Sequence, residues 1–439
     1  MKEMEVKVEI IKRETILPSS PIPAELKTFK LSLLDQISPA VYTPLLLFYT
    51  NHGHQLTPDQ LSRRLKLSMS KTLTHFYPFT GRVIDNMFIE CNDQGAVFVE
   101  AKVGGCLSDI LKEPDMAILD KLIPIDISSN EARDGPLLLV QANFFDCGGL
   151  VVGICISHKQ ADAATLCTFV NTWAGEARGM DSIVSPDFCL SKKFPPMDFL
   201  SALPEVELPK KANITKRLVV EPSRIAELKV RAASDDVPRP TAVEAVTALV
   251  WKAAASASRK NADPGSAPRK TGMSQIVNLR KRVDPPIPEN TMGNLVSYFR
   301  VETEDADAEL KLPELVCLLR KGLKKYQGEI NETLGDEVRV PNILKAAADL
   351  GAHLADEEVN NFNCSSWCKF PLYEADFGWG KPAWASLASL QFKNDMTMIN
   401  TLDGKGIEVW VAVSDADTDL FEHDDELLQF ASLNPSIKV

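Results

Sequence analysis

Two apolar runs on either side of a short turn constrain the fold of this chain more than any other feature. The runs extend from Leu137 to Phe145 and from Leu150 to Ser157, and the four residues Asp146-Cys147-Gly148-Gly149 separate them. Apolar runs of this length are typical of strands, and a short connection that contains glycine favours a β-hairpin. The sequence therefore predicts a tight hairpin in the first half of the chain.

Other strand and helix patterns alternate with this hairpin. Apolar residues alternate with polar ones from Met4 to Ile10, which predicts a half-buried strand, and the run from Val41 to Thr50 predicts a more buried one. Thr57 and Gln60 have the spacing of a capping box around Pro58, so the sequence predicts a helix from about 58 to 75.

The second half of the chain continues this mixture. Thr241 and Glu244 form another capping-box pattern and predict the start of a helix. A long helical pattern runs from Glu309 to Tyr326, and the residues from Leu387 to Val413 predict strands with a turn at Asp403-Gly404. This order of elements predicts a mixed α/β fold (α+β) rather than a regular βαβ series.

A proline-rich segment divides the two halves. The residues from Ser185 to Lys211 contain five of the 28 prolines and little apolar periodicity, which is typical of a linker. Two domains suit a chain of 439 residues. We therefore predict an N-terminal domain over 1–184, a linker over 185–214 and a C-terminal domain over 215–439.

Charge and composition exclude several classes of partner. The chain has 48 Lys and Arg against 60 Asp and Glu, a formal charge of −12, which argues against nucleic acid and anionic membranes as partners. The first thirty residues have no signal-peptide core, and no apolar run approaches a membrane span. The nine cysteines are typical of a reducing compartment and show no metal-binding spacing, so we predict a cytoplasmic protein without a metal.

His158 has the most suggestive position among the six histidines. It follows the apolar run that ends at Ser157 and precedes a helical pattern with Phe169 and Trp173 on one face. Catalytic groups are often carried where such rigid elements end. A neutral imidazole accepts a proton near pH 7, which suits a general base. A histidine that only caps or hydrogen-bonds the turn is the alternative.

Asp162 follows four residues after His158, and two geometries fit this spacing. In a continuous helix the two side chains would share a face and form a His–Asp dyad. Alternatively, Asp162 lies in the first turn of the helix, where negative charge is favourable, and points away from the ring toward an arginine. No third ligand for a metal can be identified.

A second cluster has the sequence Asp376-Phe377-Gly378-Trp379-Gly380. Two glycines around a tryptophan indicate a sharply shaped strand and turn in which the backbone packs closely. An aspartate within an apolar strand is more often part of a buried ion pair than a base. The pattern therefore favours a structural role.

Taken together and in this order, the two clusters resemble the signatures of the BAHD acyl-CoA-dependent acyltransferases. The resemblance extends along nearly the whole chain, through Leu17–Pro21, Tyr77–Arg82, Val277–Arg280, Gly293-Asn294 and Ser366–Cys368. Within the family the chain looks closest to the alkaloid-acylating, vinorine synthase-like group. Ala163, where glycine is usual, and Thr80, where alanine is usual, depart from the family pattern without removing a functional side chain.

The resemblance implies two similarly sized domains of the chloramphenicol-acetyltransferase type with a solvent channel between them. His158 would lie at the centre of this channel, with acyl-CoA entering from one face and an alcohol acceptor from the other. It also implies direct transfer in a ternary complex, in a monomer without a permanently bound cofactor.

Further site residues are implied by the same resemblance. Asp162 should turn away from the channel and pair with Arg280. Ser365 and the indole N–H of Trp367 are candidates to stabilise the oxyanion.

The remaining candidates are less directly tied to the reaction. Asp376, often described as catalytic in such families, should be architectural like Trp379. Thr241 and Asn294 are candidate coenzyme A contacts, although Thr241 suits a helix cap at least as well.

The donor and acceptor are the least determined part of the prediction. The Tyr-Phe-Gly-Asn-Cys signature of malonyltransferases is replaced by Thr291-Met292-Gly293-Asn294-Leu295, which favours acetyl-CoA. The resemblance implies O-acylation of a plant specialised metabolite such as a monoterpenoid indole alkaloid. The alternatives are malonyl or another acyl donor, a different alcohol or amine acceptor, and a non-catalytic binding protein of the same fold.

Overall fold

Two β-sheets, of six and seven strands, organise the part of the chain that the computed structural model describes. The described residues are 6–50, 56–127, 129–201, 213–263, 265–335, 339–356 and 358–438. The strands are β1 (Val8–Ile16), β2 (Thr28–Lys30), β3 (Tyr42–Tyr49), β4 (Arg82–Ile84), β5 (Phe88–Glu90), β6 (Ala96–Val103), β7 (Leu138–Phe145), β8 (Leu150–Ser157), β9 (Asn213–Val220), β10 (Lys270–Asn278), β11 (Val296–Glu302), β12 (Val359–Ser366), β13 (Trp384–Ser386), β14 (Asp395–Asn400), β15 (Ile407–Ser414) and β16 (Ser432–Leu433).

Helices lie between and beside these strands. They are α1 (Leu33–Gln36), α2 (Pro58–His75), α3 (Leu107–Lys112), α4 (Met116–Leu119), α5 (Ala163–Arg178), α6 (Leu190–Lys193), α7 (Pro222–Arg231), α8 (Ala242–Lys260), α9 (Leu312–Thr333), α10 (Arg339–Ala355), α11 (Asp415–Glu422) and α12 (Asp425–Phe430). None of the helices described is both long and apolar enough to cross a membrane.

The first sheet has the strand order β1-β6-β7-β8-β3-β13. Strands β7 and β8 form the predicted antiparallel hairpin, whose turn contains Gly148 at φ 84°, a left-handed conformation that glycine adopts without strain. Helices α2 and α5 cover this sheet, and the indole nitrogen of Trp173 donates to the carbonyl of Leu65 at 3.1 Å. Strand β8 is central and buried, so its C-terminal end is a rigid support for His158.

The second sheet has the order β11-β10-β12-β14-β15-β9-β16. Its strands β10, β12 and β14 are parallel neighbours, and helix α8 packs against it. Trp251 of α8 is buried, and its indole nitrogen donates to the hydroxyl of Thr271 at 2.7 Å. Parallel pairing requires long connections. Strand β11 and helices α9 and α10 lie in the connection between the parallel strands β10 and β12.

The local helix predictions are confirmed where caps define them. Helix α2 begins at Pro58 with a complete capping box between Thr57 and Gln60. Helix α8 begins at Ala242 with the same arrangement between Thr241 and Glu244. The predicted mixed α/β fold is confirmed as well.

Other boundaries differ from the predictions. Strand β1 extends over Val8–Ile16, because its pairing with β6 continues past Ile10. Met4 lies outside the described residues. Helix α9 continues to Thr333, and the strand predicted from Leu387 begins only at Asp395.

The C-terminal half also contributes a strand to the first sheet. Residues Trp384–Ser386 of β13 pair antiparallel with β3. Phe377 and Trp379 belong to the core of the first sheet, although the sequence prediction placed their motif in the C-terminal domain. Pairing with β3 brings this segment onto the first sheet. The domain limits themselves stay a prediction, and residues 202–212 of the linker lie outside the described residues.

Candidate active site

A cavity of about 1780 Å³ is lined by residues from both halves of the chain. His158 borders it from the first half, and Asn278, Ser365 and Trp367 border it from the second. Typical small-molecule sites have volumes of roughly 300–1,000 Å³. The cavity is therefore large enough to hold two substrates side by side.

His158 is held at this cavity by its main chain. It directly follows β8, and its backbone N–H donates to the carbonyl of Val41 at 2.8 Å. Its own carbonyl accepts a hydrogen bond of 2.6 Å from the side-chain amide of Asn294. The imidazole borders the cavity, and its Nδ1 has no hydrogen-bond partner within the described ranges. The ring is therefore placed beside a space that a ligand can occupy.

Asn294 connects His158 to a buried carboxylate. Asp35 accepts hydrogen bonds from the backbone and side-chain nitrogens of Asn294 at 2.8 and 3.0 Å. It also accepts from the backbone N–H and the hydroxyl of Ser32 at 2.9 and 2.6 Å. Burial raises the pKa of Asp35, and these hydrogen bonds partly oppose that rise.

Asn294 lies behind the cavity wall rather than on it. Asn294 is fully buried and is not among the residues that border the cavity. Its side-chain nitrogen donates to Asp35 and to His158, whereas its Oδ1 has no hydrogen-bond partner within the described residues. A contact with coenzyme A stays a prediction. The sequence analysis missed Asp35, although the Ser32-x-x-Asp35 capping pattern was visible.

Asp162 caps helix α5 instead of extending it. Its carboxylate accepts from the backbone N–H of Thr165 at 2.8 Å, and the helix begins at Ala163. A turn separates it from His158, so the dyad on a continuous helix is wrong.

The second geometry, with an arginine partner, is the one present. The Arg280 guanidinium donates to both Asp162 oxygens at 2.6 and 3.1 Å, and the backbone N–H of Leu295 donates to one of them at 3.1 Å. Burial alone would raise the pKa of Asp162, but the charge and hydrogen bonds of Arg280 outweigh it and lower that pKa. This pair joins the first turn of α5 to the second half of the chain.

Ser365 and Trp367 are brought together at the cavity wall. The indole nitrogen of Trp367 donates to the hydroxyl oxygen of Ser365 at 3.2 Å. The backbone N–H of Trp367 donates to the carbonyl of Met398 at 2.7 Å, which fixes the end of β12. The Ser365 hydroxyl, already accepting one hydrogen bond, can donate its own proton to an oxygen in the cavity.

The Asp376–Gly380 cluster lies away from the cavity lining. The Asp376 carboxylate accepts from the backbone N–H groups of Gly378 and Gly380 at 2.8 and 3.0 Å. Both glycines have left-handed conformations, at φ 99° and 108°. The ring of Trp379 stacks on Phe377 at a centroid distance of 5.5 Å. These contacts stabilise a turn, and an architectural role for Asp376 and Trp379 stays a prediction.

Thr241 is likewise not among the residues that border the cavity. Its hydroxyl accepts from the backbone N–H of Glu244 at 3.1 Å and donates to the carboxylate of the same residue at 2.8 Å. The helix-cap role is therefore present, and a contact with coenzyme A stays a prediction.

A row of polar side chains on the second sheet, not predicted from the sequence, also borders the cavity. Asn363, Asp395 and Thr397 border the cavity beside Ser365. The pattern was available, because polar residues alternate with apolar ones in both β12 and β14. These side chains make this wall of the cavity a hydrogen-bonding surface.

Comparisons with known proteins give one consistent result. A family model described as the Transferase family matches residues 6–428. BAHD acyltransferase BIA1 of Arabidopsis thaliana is 36% identical, over 99% of this chain and 100% of that protein. Stemmadenine O-acetyltransferase of Catharanthus roseus is 35% identical, over 96% of this chain and 97% of that protein. The crystal structure of vinorine synthase, at 33% identity, superposes with a TM-score of 0.86 and covers 98% of this chain and 100% of that one.

Proposed function

The chain belongs to the BAHD family of acyltransferases, and on that basis we propose that it transfers an acetyl group from acetyl-CoA to a hydroxyl of a plant specialised metabolite, such as a monoterpenoid indole alkaloid. The observation that carries this proposal is the position of His158, at a cavity that it shares with Ser365 and Trp367. The predicted two-domain fold of the chloramphenicol-acetyltransferase type is confirmed.

His158 acts as the general base. A hydroxyl is a weak nucleophile at neutral pH, so the imidazole takes its proton while the oxygen attacks the thioester carbonyl. General-base catalysis of this kind contributes about 10² to 10⁴ in rate. The imidazole ring borders the cavity, and hydrogen bonds from the main chain of the same residue to Val41 and Asn294 hold this residue in place.

The attack moves charge onto the carbonyl oxygen. Ser365 can donate its hydroxyl proton to this oxyanion, and the indole N–H of Trp367 can support the serine or turn to the oxyanion itself. Removal of one such donor in other enzymes costs about 10² to 10³ in kcat. The pair is therefore suited to stabilise the tetrahedral intermediate.

Collapse of the intermediate completes the transfer. The carbon–sulfur bond breaks, coenzyme A leaves as a thiolate, and the protonated His158 returns its proton to the sulfur. A thiol pKa of about 8.5 makes this leaving group good. No covalent acyl-enzyme is formed, and holding both substrates in one cavity contributes roughly 7–11 kcal/mol through proximity.

Two features support acetyl-CoA as the donor. Met292 stands within the segment where malonyltransferases have their signature, and the relative from Catharanthus roseus is named as an O-acetyltransferase. Malonyl-CoA or another acyl-CoA, with another alcohol or an amine as acceptor, is the alternative. We further propose that the enzyme is a cytoplasmic monomer with the domain limits given above.

The test is a screen of the purified protein with acetyl-CoA and malonyl-CoA against a panel of alkaloid and terpenoid alcohols. Product mass and release of free coenzyme A are the readouts. We expect acetylated product with at least one alcohol, and a turnover lower by at least about 10²-fold with His158→Ala. Turnover with malonyl-CoA only would refute the donor assignment, and no transfer from either donor would refute the proposal.

A further inference from the structure

One carboxylate on the cavity wall, half-buried at the start of β14, differs from the fully buried carboxylates of the chain. In the parallel pairing of β12 and β14, Asp395 is aligned with Asn363, and Thr397 is aligned with Ser365. Residues two apart on a strand point to the same face. All four side chains therefore belong to one face of the second sheet, and all four residues border the cavity.

This register fixes the spacing between Asp395 and the reacting centre. Strands rise about 3.3 Å per residue, so the Asp395 row lies about 7 Å along the sheet from the Ser365 row. The Ser365 row marks the place where the carbonyl oxygen of the donor becomes charged. A ligand a few atoms longer than its reacting hydroxyl can therefore reach Asp395.

Asp395 has little compensation from the protein itself. The side-chain amide of Asn363 donates to its carboxylate at 2.9 Å. Burial raises the pKa of Asp395 to about 7, and this single hydrogen bond opposes the rise only in part. No Lys, Arg or His of the described chain forms an ion pair with it, and Lys393, two residues earlier, approaches Asp417 at 3.9 Å instead.

Other buried carboxylates of the chain are compensated. Asp162 is paired with Arg280, and Glu408 is paired with Arg217 at 2.7 Å. Asp35, which has no cation, accepts hydrogen bonds from Ser32 and Asn294. Asp395 borders the cavity with only the Asn363 hydrogen bond and no cation beside it in the described chain. A ligand in the cavity can therefore supply the positive charge that the carboxylate lacks.

We propose that Asp395 binds a protonated amine of the acceptor, and that the acceptor is an alcohol with a basic nitrogen several ångströms from its reacting hydroxyl. This inference rests on the proposed function, because it assumes that the acceptor occupies the cavity beside Ser365. A cationic nitrogen compensates the carboxylate as it loses water. A neutral acceptor of the same shape leaves the carboxylate buried and unpaired, which is unfavourable.

The test compares binding of matched ligands and does not require turnover. The probes are rigid secondary alcohols that carry a tertiary amine, each paired with a carbocyclic analogue in which C–H replaces the nitrogen. Calorimetry gives both affinities for the wild-type protein and for Asp395→Asn. The asparagine oxygen still accepts from Asn363, so the substitution removes the charge and keeps the hydrogen bond.

We expect the wild type to prefer the amines by about 10- to 100-fold, as for a hydrogen bond to a charged group, and Asp395→Asn to lose that preference. Asp349→Asn is the matched control, because it removes a carboxylate from another part of the same cavity wall. It should keep the preference of the wild type.

Three outcomes would overturn the inference. They are equal affinity of the wild type for both members of each pair, binding of no amine at all, and equal loss of preference in both variants. Transfer activity is measured separately. Preference for amines without any acyl transfer would refute the proposed function and leave the charge recognition by Asp395 standing.

Discussion

The side-chain amide of Asn294 donates a hydrogen bond of 2.6 Å to the main-chain carbonyl of His158. The two residues are 136 positions apart in the chain. Because Asn294 is also fixed by Asp35, the loop that carries His158 is connected to a buried carboxylate from α1. We therefore propose that Asn294 positions His158.

We expect Asn294→Ala to lower kcat on the order of 10²-fold, because small displacements of a catalytic group have effects of this size. The KM for acetyl-CoA should stay unchanged. Initial rates at varied acetyl-CoA, with melting temperature as a check on folding, measure both constants. A raised KM for acetyl-CoA with a normal kcat would instead indicate that Asn294 contacts coenzyme A.

His158→Ala should keep the fold and lose at least about 10² in turnover, because the base is removed while the cavity wall stays. The measurement is kcat together with the circular dichroism spectrum. His423→Ala is the control, because that side chain is 75% exposed at the end of α11 and should not change the rate. Turnover near that of the wild type in a folded His158→Ala would contradict the mechanism.

Asp162→Asn should destabilise the protein by about 3–5 kcal/mol, because it leaves the Arg280 guanidinium buried without its charged partner. Urea unfolding at neutral pH measures the change. A loss of activity at unchanged stability would instead favour a direct catalytic role for Asp162.

The same pair makes a defined contribution to acid unfolding. The pKa of Asp162 is lowered in the folded protein, so its contribution is complete above the unfolded value of about 4 and is lost as the pH falls toward the folded value. We expect the difference in stability between wild type and Asp162→Asn to shrink below about pH 4. Unfolding curves across the acid range test this.

Arg217→Met should destabilise the protein strongly at pH 8 and less at pH 5. Arg217 pairs with Glu408 in the second sheet, and its guanidinium lies 5.0 Å from the ring centroid of Trp384 in β13. Burial raises the pKa of Glu408 even in the presence of Arg217, so without the arginine this carboxyl takes up a proton more readily.

The direction of this pH dependence follows from the coupling between proton binding at Glu408 and folding. A raised folded pKa means that the folded state binds the proton more tightly, so the variant regains stability as the pH falls through that pKa. Urea unfolding at the two pH values measures the effect. The double variant Arg217→Met/Glu408→Leu should recover most of the loss and show no such pH dependence, and a pH-independent defect in both variants would contradict this account.

Transfer should proceed through a ternary complex. Initial-rate plots at varied acetyl-CoA and alcohol should intersect, and the protein incubated with acetyl-CoA alone should gain no acyl mass. Cys155 is the cysteine nearest to His158 in sequence, but it is fully buried in β8 and burial raises the pKa of its thiol. Parallel plots with an acylated peptide containing Cys155 would show a ping-pong route instead.

The sequence by itself determined the elements whose causes are local. The capping boxes at Thr57 and Thr241 and the hairpin turn around Gly148 involve residues within a few positions of one another. Hydrogen bonds over such short separations do not depend on the rest of the fold. The motifs at 158–162 and 376–380 are also local, because each is a short run of residues. They were therefore sufficient to predict the family and to single out His158 before the fold was known.

Only the tertiary structure decided which partners the site residues have. The spacing of His158 and Asp162 left a dyad and an ion pair open, and the approach of Arg280 from 118 positions away selects the ion pair. The sequence predicts Asn294 only as a coenzyme A contact, and its burial and its hydrogen bond to the main chain of His158 are visible only in the structure.

The role that we propose for Asp395 depends on the register of the parallel strands β12 and β14, which places it beside Asn363. The pairing of distant strands depends on how whole layers pack, since each contact is a small part of the buried surface that drives folding. Local patterns therefore fix elements and motifs, whereas the chemistry of the cavity wall is set by packing between segments that the sequence keeps far apart.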